Sequence, residues 1–161
     1  MVEDNVFFGN GVDHTGGIRV INKQQVIRNN YMEGLAGYRF GGALVVMNGV
    51  PNSPINRYHQ VDGAVIENNS IINSSHIQLA AGSDQERSAV PINSRFANNL
   101  IVNSHRQDIF TVYDDIAGIH FENNIVHKVK EPSIEPGFDS GNIKLKRSNL
   151  NKMYKMNLKN K

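Results

Sequence analysis

Five times along this chain an apolar residue is followed three positions later by Asn, and two positions after that by a second apolar residue. The sets are Val2, Asn5, Phe7; Ile27, Asn30, Met32; Ile66, Asn69, Ile71; Phe96, Asn99, Ile101; and Phe121, Asn124, Val126. The residue before each fixed Asn is Asp4, Asn29, Asn68, Asn98 or Asn123. Such self-similarity constrains a fold more than any local propensity, because each unit can bury its apolar side only by stacking on the next. The fixed Asn stand 25, 39, 30 and 25 residues apart. A short coil that takes insertions fits this variation; an α-helical repeat would not.

Each unit carries a further apolar run downstream: Gly17 to Ile21, Ala43 to Met47, His76 to Ala80 and Ile109 to Tyr113. These runs are short, rich in β-branched or aromatic residues, and bounded by Gly, Asn and Asp, so they read as strands. Two or three short strands per coil, repeated, predict an all-β parallel β-helix, a solenoid. In that architecture the fixed Asn has a physical task. Stacked at one inward corner, each amide donates to and accepts from its neighbour and from turn carbonyls, forming an Asn ladder. The competing reading, Asn pairs in hairpin turns, does not explain apolar residues at fixed offsets on both sides.

The first coil, from Val2 to about Gln24, is as regular as the third and lacks a polar cap. The expectation is that further coils precede Met1, or that a partner makes end-to-end contact with this uncapped N-terminal coil. The start, Met1-Val2-Glu3-Asp4, is acidic and already in pattern, so no signal peptide is read there. No apolar run approaches the roughly 18 residues of a membrane span, and there is no cysteine. After about Val129 the pattern stops. Residues 1–129 are read as coils, and 130–161 as a linker, a last short strand at Ile143-Lys144-Leu145 and a basic tail, the expected cap. From Lys144 onward there are seven Lys and Arg and no acid, leaving 10 basic and 15 acidic groups before it. A terminal charge run is more often a solvated segment than a nucleic-acid site; no nucleic-acid or membrane partner is expected.

Two insertions stand out, Asn48 to Gly63 and Gly82 to Pro91. Long loops on a rigid scaffold are where binding concentrates, and the first sets Arg57, Tyr58 and His59 side by side. Gly16-Gly17 and Gly41-Gly42 match no phosphate-binding motif, and Gly16-Gly17 are read as a sharp turn into a strand. The six His are not at metal-ligand spacings. Arg recurs on successive coils at Arg19, Arg39, Arg57, Arg87, Arg95 and Arg106. A row of planar guanidinium forks suits an extended acidic polysaccharide, and scattered surface Arg would look the same.

The segments VDHTGGIRVIN (Val12 to Asn22), NNYMEGLAGYRFGGALVVMNGVPNSPINRYHQV (Asn29 to Val61), HIQLAAGSDQERSA (His76 to Ala89) and FTVYDDIAGIHFENN (Phe110 to Asn124) resemble the C-terminal part of the core β-helix of polysaccharide lyase family 6. That family holds alginate lyases and chondroitinase B, and the likeness runs toward the alginate lyases. It implies a right-handed parallel β-helix and cleavage of uronate polysaccharides by β-elimination. It also implies calcium in the full-length enzyme to neutralise the uronate carboxylate, a Lys base and an Arg acid. None of these is matched here, so the catalytic groups are expected upstream of Met1 and no residue is assigned to calcium. By position in the motifs, Arg19 and Arg39 resemble substrate-contacting residues. Arg57, Tyr58 and His59 correspond loosely to a loop that reaches the active site, and His14 is added by adjacency. The resemblance also implies a periplasmic or secreted protein acting on alginate or a dermatan sulfate-like polymer. The alternatives are a non-catalytic acidic-polysaccharide-binding β-helix or a degenerate remnant.

Overall fold

The computed structural model describes residues 1–103, 109–128 and 143–145. His105, Arg106 and the linker and tail, except for residues 143–145, lie outside the described residues. Each repeat forms three short strands. Coil one is β1 (Val2–Glu3), β2 (Val6–Phe8) and β3 (Ile18–Val20); coil two is β4 (Val26–Arg28), β5 (Tyr31–Glu33) and β6 (Leu44–Met47). Coil three is β7 (Val65–Glu67), β8 (Ser70–Ile72) and β9 (Ile77–Ala81); coil four is β10 (Ser94–Ala97), β11 (Leu100–Asn103) and β12 (Phe110–Val112). β13 (Ile119–Glu122) and β14 (Asn124–Lys128) begin coil five, and β15 (Ile143–Leu145) pairs with β14.

Strands of successive coils pair in parallel in three sheets, ordered β1-β4-β7-β10-β13, β2-β5-β8-β11-β14-β15 and β3-β6-β9-β12. The chain therefore visits first, second and third sheet in turn and starts again one layer on. No helix occurs among the described residues. This is a parallel β-helix, with three strands per coil.

Register places the repeat's apolar residues in columns. Ile27, Ile66, Phe96 and Phe121 pair in sequence down the first sheet, and Met32, Ile71, Ile101 and Val126 down the second. Ile18, Leu44 and Ile77 align down the third. All are buried in one interior cluster, each contributing about 1.5 to 3 kcal/mol relative to exposure. In the lower coils the space is filled by three rings, one from each of three strands. Phe96 lies 5.4 Å from Phe121 and 6.1 Å from Phe110, centroid to centroid.

The turn from first to second sheet is made by the residue before the fixed Asn. Asp4, Asn29, Asn68, Asn98 and Asn123 all have φ between 51° and 57°, the left-handed region that Asn and Asp tolerate better than other residues with a Cβ. The fixed Asn then closes the corner. Nδ2 of Asn30 donates to Asn69 Oδ1 (2.9 Å) and to Val2 O (3.0 Å). Asn69 does the same to Asn99 Oδ1 and Ile27 O, both 3.0 Å, and Asn99 to Asn124 Oδ1 and Ile66 O. Each Oδ1 also accepts the backbone N–H of the Asn one coil earlier. Amides that are 1% exposed are thus bonded at both ends, which is the expected ladder.

The paired glycines have a different reason from the one read in the sequence. Neither Gly16, Gly17, Gly41 nor Gly42 has positive φ. A Cβ on Gly17 would run into Ala43 O, and one on Gly42 would lie 2.5 Å from His76 O. Gly16, Gly17 and Gly42 thus permit close coil-to-coil approach, whereas Gly41 closes a turn within its own loop, donating its N–H to Tyr38 O at 3.0 Å.

Candidate functional site: the outer face of the third sheet

Ile18 and Val20 point inward, so Arg19 between them points out, and register continues its column through Val45, Gln78 and Thr111. Outside the main core a second apolar cluster forms on this face. Val45, Met47 and Ala81 are buried beneath Ile21, Phe40 and Tyr58. Phe40 comes from the loop before β6 and Tyr58 from the loop after it, so two loops fold toward each other over the sheet.

The first loop is fastened through two of its carbonyls. Arg19 Nη2 donates to Phe40 O at 2.7 Å. Buried Gln78 donates its amide N–H to Arg39 O and, at 3.0 Å, to His76 Nε2. Because that ring nitrogen accepts, Nδ1 carries the proton and donates to Thr111 Oγ1 at 2.7 Å. Arg19 is therefore part of the loop's anchorage as well as an exposed cation. Arg39 has φ 51° and its guanidinium lies 5.8 Å from the Tyr38 ring centroid. His14, with φ 65°, meets the same ring edge-on at 6.3 Å. The structure brings His14 and Arg39 together through Tyr38, a residue the sequence reading passed over; its exposure was the missing signal.

The second loop climbs toward coil one. Asn22 donates its backbone N–H to His59 O (3.2 Å) and its Nδ2 to Ile55 O (3.0 Å). His59 Nδ1 lies 2.7 Å from Ser53 O; a carbonyl only accepts, so Nδ1 holds the proton and Nε2 is the open nitrogen. Tyr58 is half-buried under the Arg87 guanidinium, 5.7 Å from the ring centroid. Arg57 is exposed. The 82–91 insertion braces this loop through the Gly49 to Ala89 bridge and through Gln60 Nε2, which donates to Val90 O at 2.7 Å.

The expected single row of Arg does not form. Arg87 is paired with Asp84. Arg95 is on the first sheet, 2.5 Å from Glu67 and 3.3 Å from Glu122, where Arg28 also meets Glu3. One strand segment separates the sheets, so Arg in similar repeats ends on different faces. Arg19, Arg39 and Arg57 stay with the third sheet and its loops, without an acidic partner among the described residues. No group of three or more His, Asp or Glu that could hold a metal ion exists among the described residues.

A parallel β-helix whose third sheet carries a basic, aromatic-lined outer face is the class of protein that this fold and site define. The family model for chondroitinase B matches residues 1–160, and the chain belongs to that family. Among solved structures it is similar to the PL6 family alginate lyase AlyGC, with 66% identity and a TM-score of 0.78, and equally to a single-residue variant of that enzyme. The match covers 86% of this chain and 19% of that one. A mannuronic acid specific polysaccharide family 6 lyase from human gut microbiota is 26% identical with a TM-score of 0.69, over 96% of this chain and 36% of that one. The chain thus spans about a fifth to a third of the length of these relatives. No curated protein matches it.

Proposed function

We propose that this chain forms the lower part of the substrate groove of an alginate lyase-like polysaccharide lyase, one that cleaves uronate-containing acidic polysaccharide by β-elimination. The observation that carries the reading is the 66% identity to an alginate lyase over 86% of the chain. Under it, residues 1–129 are the groove-bearing coils and 130–161 the closing segment. Arg19, Arg39 and Arg57 offer forks to successive carboxylates, Tyr58 and His14 flank them, and His59 Nε2 accepts a sugar hydroxyl. Calcium, base and acid would come from elsewhere in the full-length enzyme, which acts in the periplasm or outside the cell. The uncapped first coil is the surface through which those parts, or a second chain, would continue the stack.

The test is incubation of the chain with alginate and with dermatan sulfate, with and without calcium, followed by absorbance of unsaturated uronates and by calorimetric binding. Alginate binding that falls on Arg19→Ala supports the groove. Absence of binding by a folded chain overturns it. Binding without unsaturated product is expected of these residues alone; the same outcome from the full-length protein would favour the non-catalytic binding module.

A further inference from the structure

Tyr38 is 68% exposed. A lone exposed aromatic needs no explanation, but three independent features converge on this one. Its two contacts, His14 and Arg39, both have positive φ, although neither is Gly, Asn or Asp. His visits the left-handed region more readily than most residues with a Cβ, whereas Arg39 there is uncommon, and backbone strain of this kind gathers at ligand sites. The ring is also fixed in direction: Arg39 stands over it at 5.8 Å and His14 abuts it at an interplanar angle of 85°. Finally, the loop that carries it is tied down at the two following residues, through Arg39 O by Gln78 and through Phe40 O by Arg19. The solvent-facing ring is therefore held rigidly, beside a guanidinium whose charge faces no acid among the described residues.

We propose that Tyr38, with Arg39 and His14, is a subsite for one uronate residue. The apolar C–H face of the pyranose stacks on the phenol ring, and the carboxylate of the same sugar meets the Arg39 fork. Ring and cation side by side match the two unlike faces of a uronate, an apolar ring plane and an anionic edge. Tyr38 lies on the loop before β6, whereas Arg57 to His59 lie on the loop after it. On this reading the polymer runs from one loop to the other, so that Tyr38 holds a sugar distal to the Arg57 end and is engaged by oligomers long enough to cross the sheet. This inference rests on the reading of the outer face as a polysaccharide groove.

The experiment is calorimetric titration of the 161-residue chain with oligouronates from disaccharide to hexasaccharide, beside Tyr38→Ala, Tyr38→Phe and Arg19→Ala. Tyr38→Ala should weaken binding of the longer oligomers about 5- to 10-fold and leave the disaccharide unchanged, while Tyr38→Phe keeps wild-type affinity and both keep the wild-type melting temperature. Equal affinity of Tyr38→Ala and wild type for the hexasaccharide, with Arg19→Ala still weakened, overturns the subsite and leaves the groove standing. An equal loss at every length overturns a distal position. No binding by folded wild type overturns the groove and the subsite together.

Discussion

Asn48, directly after β6 in coil two, donates its Nδ2 to Asp114 Oδ2 of coil four at 2.8 Å, reaching past coil three. Paired strands are about 4.8 Å apart, so two short side chains must cross roughly two such steps. Between them, directly after β9, stands Gly82, whose φ of 83° suits glycine and where a Cβ would lie 2.9 Å from Met47 Cε. The same carboxylate accepts Ser83 Oγ at 2.7 Å, and Asn48 also reaches Arg87 O. One contact thus ties the 82–91 loop to the coils on either side of it, and through Arg87 over Tyr58 it steadies the loop of Arg57 and His59.

Asp114→Ala should release this loop. It removes one of the two acceptors of the buried Asn48 amide and the acceptor of the Ser83 hydroxyl, at about 1 to 3 kcal/mol for the buried group. Hydrogen exchange at Ser83 to Ala89 should accelerate more than exchange in the strands. A uniform acceleration would show that Asp114 supports the whole stack instead.

The same loop should be the first part to loosen in acid. The Ser83 hydroxyl, then the Asp115 amide and Asn48, hold the Asp114 carboxyl below its ordinary value. The Arg87 backbone amide, followed by its side chain, does the same for Asp84. Both folded values lie below the unfolded ones, so their stabilisation is complete above the ordinary carboxylate range, about pH 4, and is lost as pH falls through the depressed values. Exchange at the loop amides should rise below that pH while the Asn ladder, which does not titrate, stays protected. Simultaneous loss of loop and ladder protection would contradict this.

Asn69→Leu should cost at least about 1 to 3 kcal/mol, because it strands Ile27 O and the amides of Asn30 and Asn99 in the interior. Asn5→Leu should cost less, since Asn5 is exposed and bonds along the ladder only to Asn30. Denaturant midpoints compare the two; equal midpoints would remove the ladder as a source of stability.

Gly42→Ala should destabilise although φ permits alanine. The new Cβ would lie 2.5 Å from His76 O in the next coil, and separating the coils costs about 1 to 3 kcal/mol. A melting temperature equal to wild type would mean the coils part without cost.

Arg19→Ala should lower oligouronate affinity with only a small loss of stability, about 1 kcal/mol for the bond to Phe40 O, and Arg19→Lys should restore part of the binding. Collapse of folding in both variants would make Arg19 structural alone.

The repeat spells out the interior of this protein in one dimension. A residue one coil away in sequence is one layer away in space, so Asn5, Asn30, Asn69, Asn99 and Asn124 were bound to stack, and the residues before them to turn, whatever the loops did. Strand alternation likewise sent Arg19 outward. The outer face was decided by tertiary structure, because which sheet an Arg lands on depends on loop lengths that the repeat does not fix. That put Arg95 between Glu67 and Glu122 and Arg87 against Asp84, and left Arg19, Arg39 and Arg57 around the third sheet. Tyr38, Gln78 and the Asn48 to Asp114 contact were illegible for the same reason: each depends on two loops folding over one sheet, and no periodicity in the chain records where a loop comes down.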